Sequence, residues 1–288
     1  MLKPTLTCAC IGVLAATAQA QEKLPDETAP RGPGWTIRFE PSIYFVGPSG
    51  KVRLPSTTTK ANRTELGDLN LDSPRLEPYG RIIVARDRWR VALAGLAFST
   101  SDRGATALAA GQIGGAPFAT GDGLVSDLSY ESMNLDVSYR LYRHLEEGVE
   151  PGAGRFEAGV DVLGGVRFHH ANFDARVNPV IAAAPGVPTS AGADELFAEP
   201  YVGGRIELDI ARTFGLDVES SIGGFSTGDR SSVTFTIDAG FVYRPIPALG
   251  VRIGYHMEVL DLSSGSGAAE FEWRGSMAGL YWGAQLIF

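Results

Sequence analysis

Met133-Asn134-Leu135-Asp136-Val137-Ser138-Tyr139-Arg140-Leu141 is the stretch that decides the fold. One set of alternate residues reads Met, Leu, Val, Tyr, Leu, and the other reads Asn, Asp, Ser, Arg. Successive side chains of a strand point to opposite faces of its sheet, so a period of two sets one face in an apolar medium and the other in a polar one. The pattern recurs along the chain. Phe156, Ala158, Val160, Val162, Val166 and Phe168 alternate with Glu157, Asp161 and Arg167. Val202, Ile206, Leu208 and Ile210 alternate with Arg205, Glu207 and Asp209, and Val233, Phe235, Ile237, Phe241 and Tyr243 with Thr234, Thr236 and Asp238.

A soluble sandwich also alternates, with its apolar face in the core. Two features point instead to a closed antiparallel transmembrane β-barrel. The run from Ser129 to Arg143 alternates almost without a break. Sandwich strands average about 5–6 residues, whereas a tilted strand needs about 9–11 to cross hydrocarbon. The connections also alternate in length. Residues 86–88, 211–213 and 245–248 are short turns, and 48–73, 100–125 and 171–194 are long loops. About ten strands are expected, starting near Trp35, Leu76, Trp89, Ser126, Arg155, Leu196, Phe214, Ser232, Leu249 and Ala269. Eight or twelve remain open. The Ala/Gly/Pro-rich stretches 104–123 and 177–193 read as loops, mobile or laid across the barrel mouth.

Composition agrees. Of 288 residues, 44% are hydrophobic, yet no run reaches the roughly 18–20 apolar residues of a membrane helix, so any span is built from strands. The formal net charge of −8 argues against nucleic acid as a partner. Cys8 and Cys10 are the only cysteines. Residues 1–20 read as a secretory signal, with Lys3 in the positive region and cleavage after Ala18-Gln19-Ala20. Its removal leaves a chain without thiols, which excludes disulfides, zinc-thiolate sites and cysteine nucleophiles. Cys10 precedes its apolar run, the reverse of a lipoprotein signal. The expected organisation is a signal peptide over 1–20, a periplasmic linker over 21–34 and the barrel over 35–288.

Leu280, Trp282, Ala284, Leu286 and Phe288 share one face at the end of the chain. This pattern resembles the assembly signal of outer-membrane barrels, carried by Phe288, Leu286 and Trp282. Tyr281, Trp282 and Phe288 also suit an interfacial girdle. Further motifs resemble a widespread group of uncharacterised Gram-negative outer-membrane barrels, small and OmpA-like or porin-like. They are Pro200-Tyr201-Val202-Gly203-Gly204-Arg205, Gly223-Gly224-Phe225, Gly240-Phe241-Val242-Tyr243-Arg244, Gly254-Tyr255-His256 and Val162-Leu163-Gly164-Gly165-Val166-Arg167. His256 departs from the pattern, where Arg is usual. The resemblance covers about residue 50 onward and implies the fold, the outer membrane as location, its lipid and lipopolysaccharide as surroundings, and the barrel-assembly machinery as a partner in biogenesis. It implies no activity and no oligomeric state.

The inward faces carry both signs of charge, including Arg38, Glu40, Asp136, Arg140, Asp161, Asp217 and Glu219. Arg167, Arg205 and Arg252 are expected to pair with Glu207, Asp238 or Glu258, beside His256, because buried charges are found paired. That gives a largely closed, salt-bridged lumen and a structural or surface-interaction role. The alternatives are a small-solute channel with a charged constriction and a hydrolase at the rim. Hydrolysis needs a His with a carboxylate and a nucleophile or activated water. His169 and His170 lie near Asp174 in sequence, but no catalytic set converges and none is assigned. Adjacent strand residues point apart, so His169 and His170 make no metal site. The Gly-Gly pairs lack the following helix of a phosphate loop, and no cofactor is expected.

Overall fold

The computed structural model describes residues 34–56, 61–107, 110–146, 156–180, 186–211 and 213–288. The signal-peptide assignment, both cysteines and all of the linker except Gly34 lie outside the described residues. Residues 35–288 form one compact unit.

The strands are β1 (Thr36–Arg53), β2 (Thr64–Glu65), β3 (Arg75–Arg86), β4 (Trp89–Thr106), β5 (Gly111–Ile113), β6 (Ala116–Phe118), β7 (Gly123–Glu146), β8 (Phe156–Asn178), β9 (Ser190–Ile210), β10 (Phe214–Thr227), β11 (Arg230–Ile246), β12 (Leu249–Ser264) and β13 (Phe271–Ile287). Among the described residues ten of them form the wall, in the order β1-β3-β4-β7-β8-β9-β10-β11-β12-β13. β13 returns to pair with β1, from Arg38↔Ile287 to Arg53↔Glu272, and closes the ring. Every neighbour pair is antiparallel. Closure leaves no sheet edge in the hydrocarbon, where an unpaired backbone group has no water to turn to.

Across the middle of the wall the outward residues are apolar. On β12 they are Val251, Ile253, Tyr255, Met257 and Val259; on β9 they are Ile210, Ile206 and Val202. Trp35, Trp89, Tyr142, Phe214, Tyr243 and Phe288 stand exposed around one end, as an aromatic girdle does. That end carries the turns 87–88 and 247–248 and the β7–β8 and β9–β10 connections. The opposite end carries 54–74, 107–122 and 179–189, the longer connections, and is the external one. Two external turns are short, 228–229 and 265–270, so the rim stands higher over β1–β9 than over β10–β13.

The expected loops were too long. β1 runs on to Arg53, β4 to Thr106 and β8 to Asn178, while β7 begins at Gly123 and β9 at Ser190 rather than near Leu196. The reason is a change of sign in the alternation. On β8, Val166 and Phe168 face out and Arg167 faces in; farther along, Ala171, Phe173, Ala175 and Val177 face in while Asn172, Asp174 and Arg176 face out. The strand continues with unbroken period, but beyond the hydrocarbon water lies outside and the apolar face turns inward.

Candidate functional site

The lumen is the site the sequence singles out, and it holds side chains in tiers. At the periplasmic end Arg90 forks onto Glu207 at 2.6 and 2.9 Å and reaches Asp161 at 3.2 Å. Arg140 bonds both of these carboxylates as well. Arg244 pairs with Asp209 and donates to Gln285 at 2.7 Å. A recess of about 20 Å³ bordered by Arg38, Glu207, Asp209, Asp217 and Arg244 opens here, room for about one water molecule.

The middle tier is denser. Arg252 grips Asp217 with both nitrogens at 2.7 Å, reaches Asp238 at 3.1 Å and donates to the Tyr281 hydroxyl at 2.8 Å. Arg81 bridges Glu40 at 3.3 Å and Glu219 at 3.1 Å. Arg205 holds Glu219 at 2.6 Å. His256 Nδ1 lies 3.1 Å from Asp238, and Gln285 donates to Glu40 at 2.7 Å. These guanidiniums and carboxylates come from opposite sides of the ring and meet in its centre, with charge-assisted, partly bidentate bonds. Glycines make the room. Gly240 and Gly254 are register partners on β11 and β12. A Cβ on Gly240 would strike the Arg252 guanidinium, and one on Gly254 the Tyr281 ring.

The third tier is centred on Arg167, which donates to Asn134 at 2.9 Å, Ser221 at 2.8 Å and Thr234 at 2.5 Å. It also lies 3.5 Å from Glu199 and 3.6 Å from Glu258, with its guanidinium over the Tyr201 ring. Tyr130 donates to Glu258 at 2.7 Å and meets His169 Nδ1 at 2.7 Å. A hydroxyl has one proton, so with Glu258 as acceptor Tyr130 takes a hydrogen bond from the Nδ1–H of His169.

Above the charges sits an apolar plug. Trp273, fully buried, packs edge-on against Tyr130 at 5.2 Å and Phe173 at 5.4 Å. Phe197, Phe271, Leu128, Leu260 and Leu262 surround it, and the connecting segments add Leu54, Leu66, Leu69, Leu71, Ile113 and Ala116. The β5–β6 hairpin brings Ile113 and Ala116 onto this plug. Asp122 ties its return to the β8–β9 connection, accepting from the N–H of Ala119 at 2.7 Å and of Val180 at 2.9 Å.

The charged residues singled out for the lumen, and His256, all face it. Arg252 meets Asp238 at 3.1 Å. Arg205 takes Glu219 instead of Glu207, which belongs to Arg90 and Arg140. Arg167 has Glu258 only at 3.6 Å and bonds mainly hydroxyls and an amide. Cross-strand register settles this, and single-strand patterns do not reveal it. Arg81, Arg90, Glu199 and His169 were missed as members, although Arg81, Arg90 and Glu199 each stand at a polar alternate position between non-polar ones. The whole apolar plug was missed too. His169 lies sealed in the lumen, while His170 faces out and pairs with Asp194 at 2.7 Å, so the two assemble no common site with Asp174. Trp282, Leu286 and Phe288 lie on the outward face of β13.

No protein-family model matches the chain, and no curated protein matches it. Solved structures do. The outer-membrane protease OmpT from Escherichia coli is 11% identical, with a TM-score of 0.44 over 91% of this chain and 99% of that one. Ail, the attachment invasion locus protein of Yersinia pestis, in complex with the heparin analogue sucrose octasulfate, is 11% identical over 88% and 99%, with a TM-score of 0.32. The toluene transporter TodX of Pseudomonas putida is 10% identical over 90% and 91%, with a TM-score of 0.27. Identities and TM-scores at this level bear on neither activity nor ligand. The closed ring, its apolar belt and its polar lumen make the chain an outer-membrane β-barrel.

Proposed function

We propose that the protein is a closed surface platform: a barrel that does not conduct and presents its external end at the cell surface. The observation that carries this reading is the double seal of the lumen. A solute entering from the periplasm meets guanidinium–carboxylate pairs in direct contact at 2.6–3.3 Å. Beyond them it meets the plug around Trp273. A channel reading needs cations on one wall and carboxylates on another across water, and here the two signs touch. The outward belt meets phospholipid on the periplasmic side and lipopolysaccharide on the other, and outward Trp282, Leu286 and Phe288 are the face offered to the assembly machinery. Swelling of proteoliposomes in isosmotic solutions of small sugars and amino acids tests the seal. The expected rate is that of protein-free liposomes, and solute entry that rises with protein content would contradict it.

A further inference from the structure

β9 is paired along one side only in its outer half. Its register with β8 runs unbroken from Phe156↔Ile210 to Arg176↔Ser190, whereas its register with β10 stops at Gly223↔Tyr201. Among the described residues no strand pairs with the other side of Ser190–Glu199. Arg230 donates to the Leu196 carbonyl at 3.2 Å from that open side. A strand residue directs its N–H and C=O to one side, and its neighbours direct theirs to the other. Ser190, Gly192, Asp194, Leu196 and Ala198 therefore present their backbone groups to the opening. Pro200 stands in the same phase and has no N–H, so the next rung toward β10 lacks its donor.

An open edge of ten residues is about 33 Å long at ~3.3 Å per residue and is a template for another strand. The wall parts at a second place, where β3–β4 pairing stops at Tyr79↔Leu96 beside Pro78. That seam is covered by Arg75 on the Ser101 carbonyl, Glu77 on the Ser99 N–H and Asn70 on Asp102. At β9, Arg230 covers the Leu196 carbonyl and binds Glu195 at 3.0 Å. The surrounding charge is negative. Asp194 lies on the edge strand, and Asp127 and Glu131 on β7 stand opposite Asp174 and His170 on β8. Arg176 is the cation that β8 adds to that outward face.

We propose that the outer edge of β9, Ser190–Glu199, docks an extended cationic polypeptide segment that adds to the sheet as a further strand. This rests on the reading of the barrel as a surface platform. Arg230 already occupies the position such a segment's cations would take, beside an edge carbonyl and Glu195. Ala191 and Ala193 pack against the apolar plug, so alternate residues of the incoming strand are apolar and the rest cationic. A second copy does not fit. Two barrels in one membrane are related by an axis along its normal, and strands tilted by about 35–45° then cross instead of lying antiparallel.

The test uses the refolded full chain in zwitterionic nanodiscs, a synthetic peptide of alternating Lys and Val, and amide exchange followed by NMR. The peptide is expected to slow exchange at Gly192, Asp194, Leu196 and Ala198 by about tenfold, as for newly paired amides, with little change at Ala191, Ala193 and Phe197. Leu196→Pro removes an edge N–H that β8 does not use, and should abolish the effect while leaving the barrel folded. Combined Asp194→Asn and Glu195→Gln should weaken binding about threefold or more, at the scale of cross-strand charge pairs. Protection equal at odd and even residues, or binding unchanged in Leu196→Pro, would overturn the proposal. So would a dimer that forms without peptide and is lost in Leu196→Pro, which would seat a second copy on the edge. Failure here with solute-tight liposomes leaves the closed platform standing; solute entry with intact edge protection removes the platform reading instead.

Discussion

Arg252 shows what single residues do in this barrel. It bonds Asp217, Asp238 and Tyr281 together, and it stands 3.7 Å from Glu40. Removing one partner of a buried ionic network strands the others, at a cost of about 3–5 kcal/mol. Arg252→Met should therefore destabilise the barrel by that amount in urea unfolding from micelles, and a loss near zero would mean that water replaces the guanidinium. Gly254→Ala places a methyl against the Tyr281 ring and 2.6 Å from the Ala239 carbonyl; overpacking of this kind costs about 1–3 kcal/mol in the same assay. Asp122 lies in the external connections, where the N–H groups of Ala119 and Val180 hold its carboxyl below the ordinary value of 3.8. A carboxylate with a lowered folded value contributes above its unfolded value and loses that contribution as the pH falls through the folded one. The tie should thus persist above pH 3.8 and loosen only below it, seen as pepsin nicking near Phe118. Asp122→Asn should nick at every pH that pepsin tolerates. The polar alternate positions made the charged lumen legible in sequence. The partners of Arg205 and Arg167 were not, because they depend on how far each strand is shifted against its neighbours.

At the scale of elements, each long strand carries two messages in one period. On β12, Val259 faces out and Glu258 in; two residues on, Leu260 faces in and Asp261 out. β7 inverts in the same way between Met133 and Leu128. Strand existence and approximate starts followed from the alternation alone, since period two is insensitive to which face is apolar. Strand ends did not, because the reversed stretches look like loops when only apolar-out segments are sought. The inversion marks where hydrocarbon gives way to water, and it can be mapped. With Cys8 and Cys10 replaced by Ser, a single cysteine at Asn172 should react with a membrane-impermeant maleimide on whole cells. One at Val166 or Phe173 should not, the first being in lipid and the second in the plug. Reaction at Val166 would move the boundary and undo the assignment of the outer strand ends.

Residues 35–288 form a ring whose lower part is held by paired charges and whose upper part is held by an apolar core shared between opposite walls. Tyr130 and His169 sit where the two meet, with Trp273 packed on Tyr130 from above. In the proposed reading either layer alone would obstruct a narrow lumen, and the plug is anchored on the charged tiers through Tyr130. Trp273→Ala should cost about 3–5 kcal/mol as a cavity-forming change and still leave the lumen closed, because the Arg252 and Arg205 tiers remain. Planar-bilayer recording of the refolded full chain tests this closure most directly. A flat baseline across applied voltages is expected for the wild type and for Trp273→Ala. Reproducible unitary openings in the wild type, altered in size or ion preference by Arg205→Ala, would contradict it.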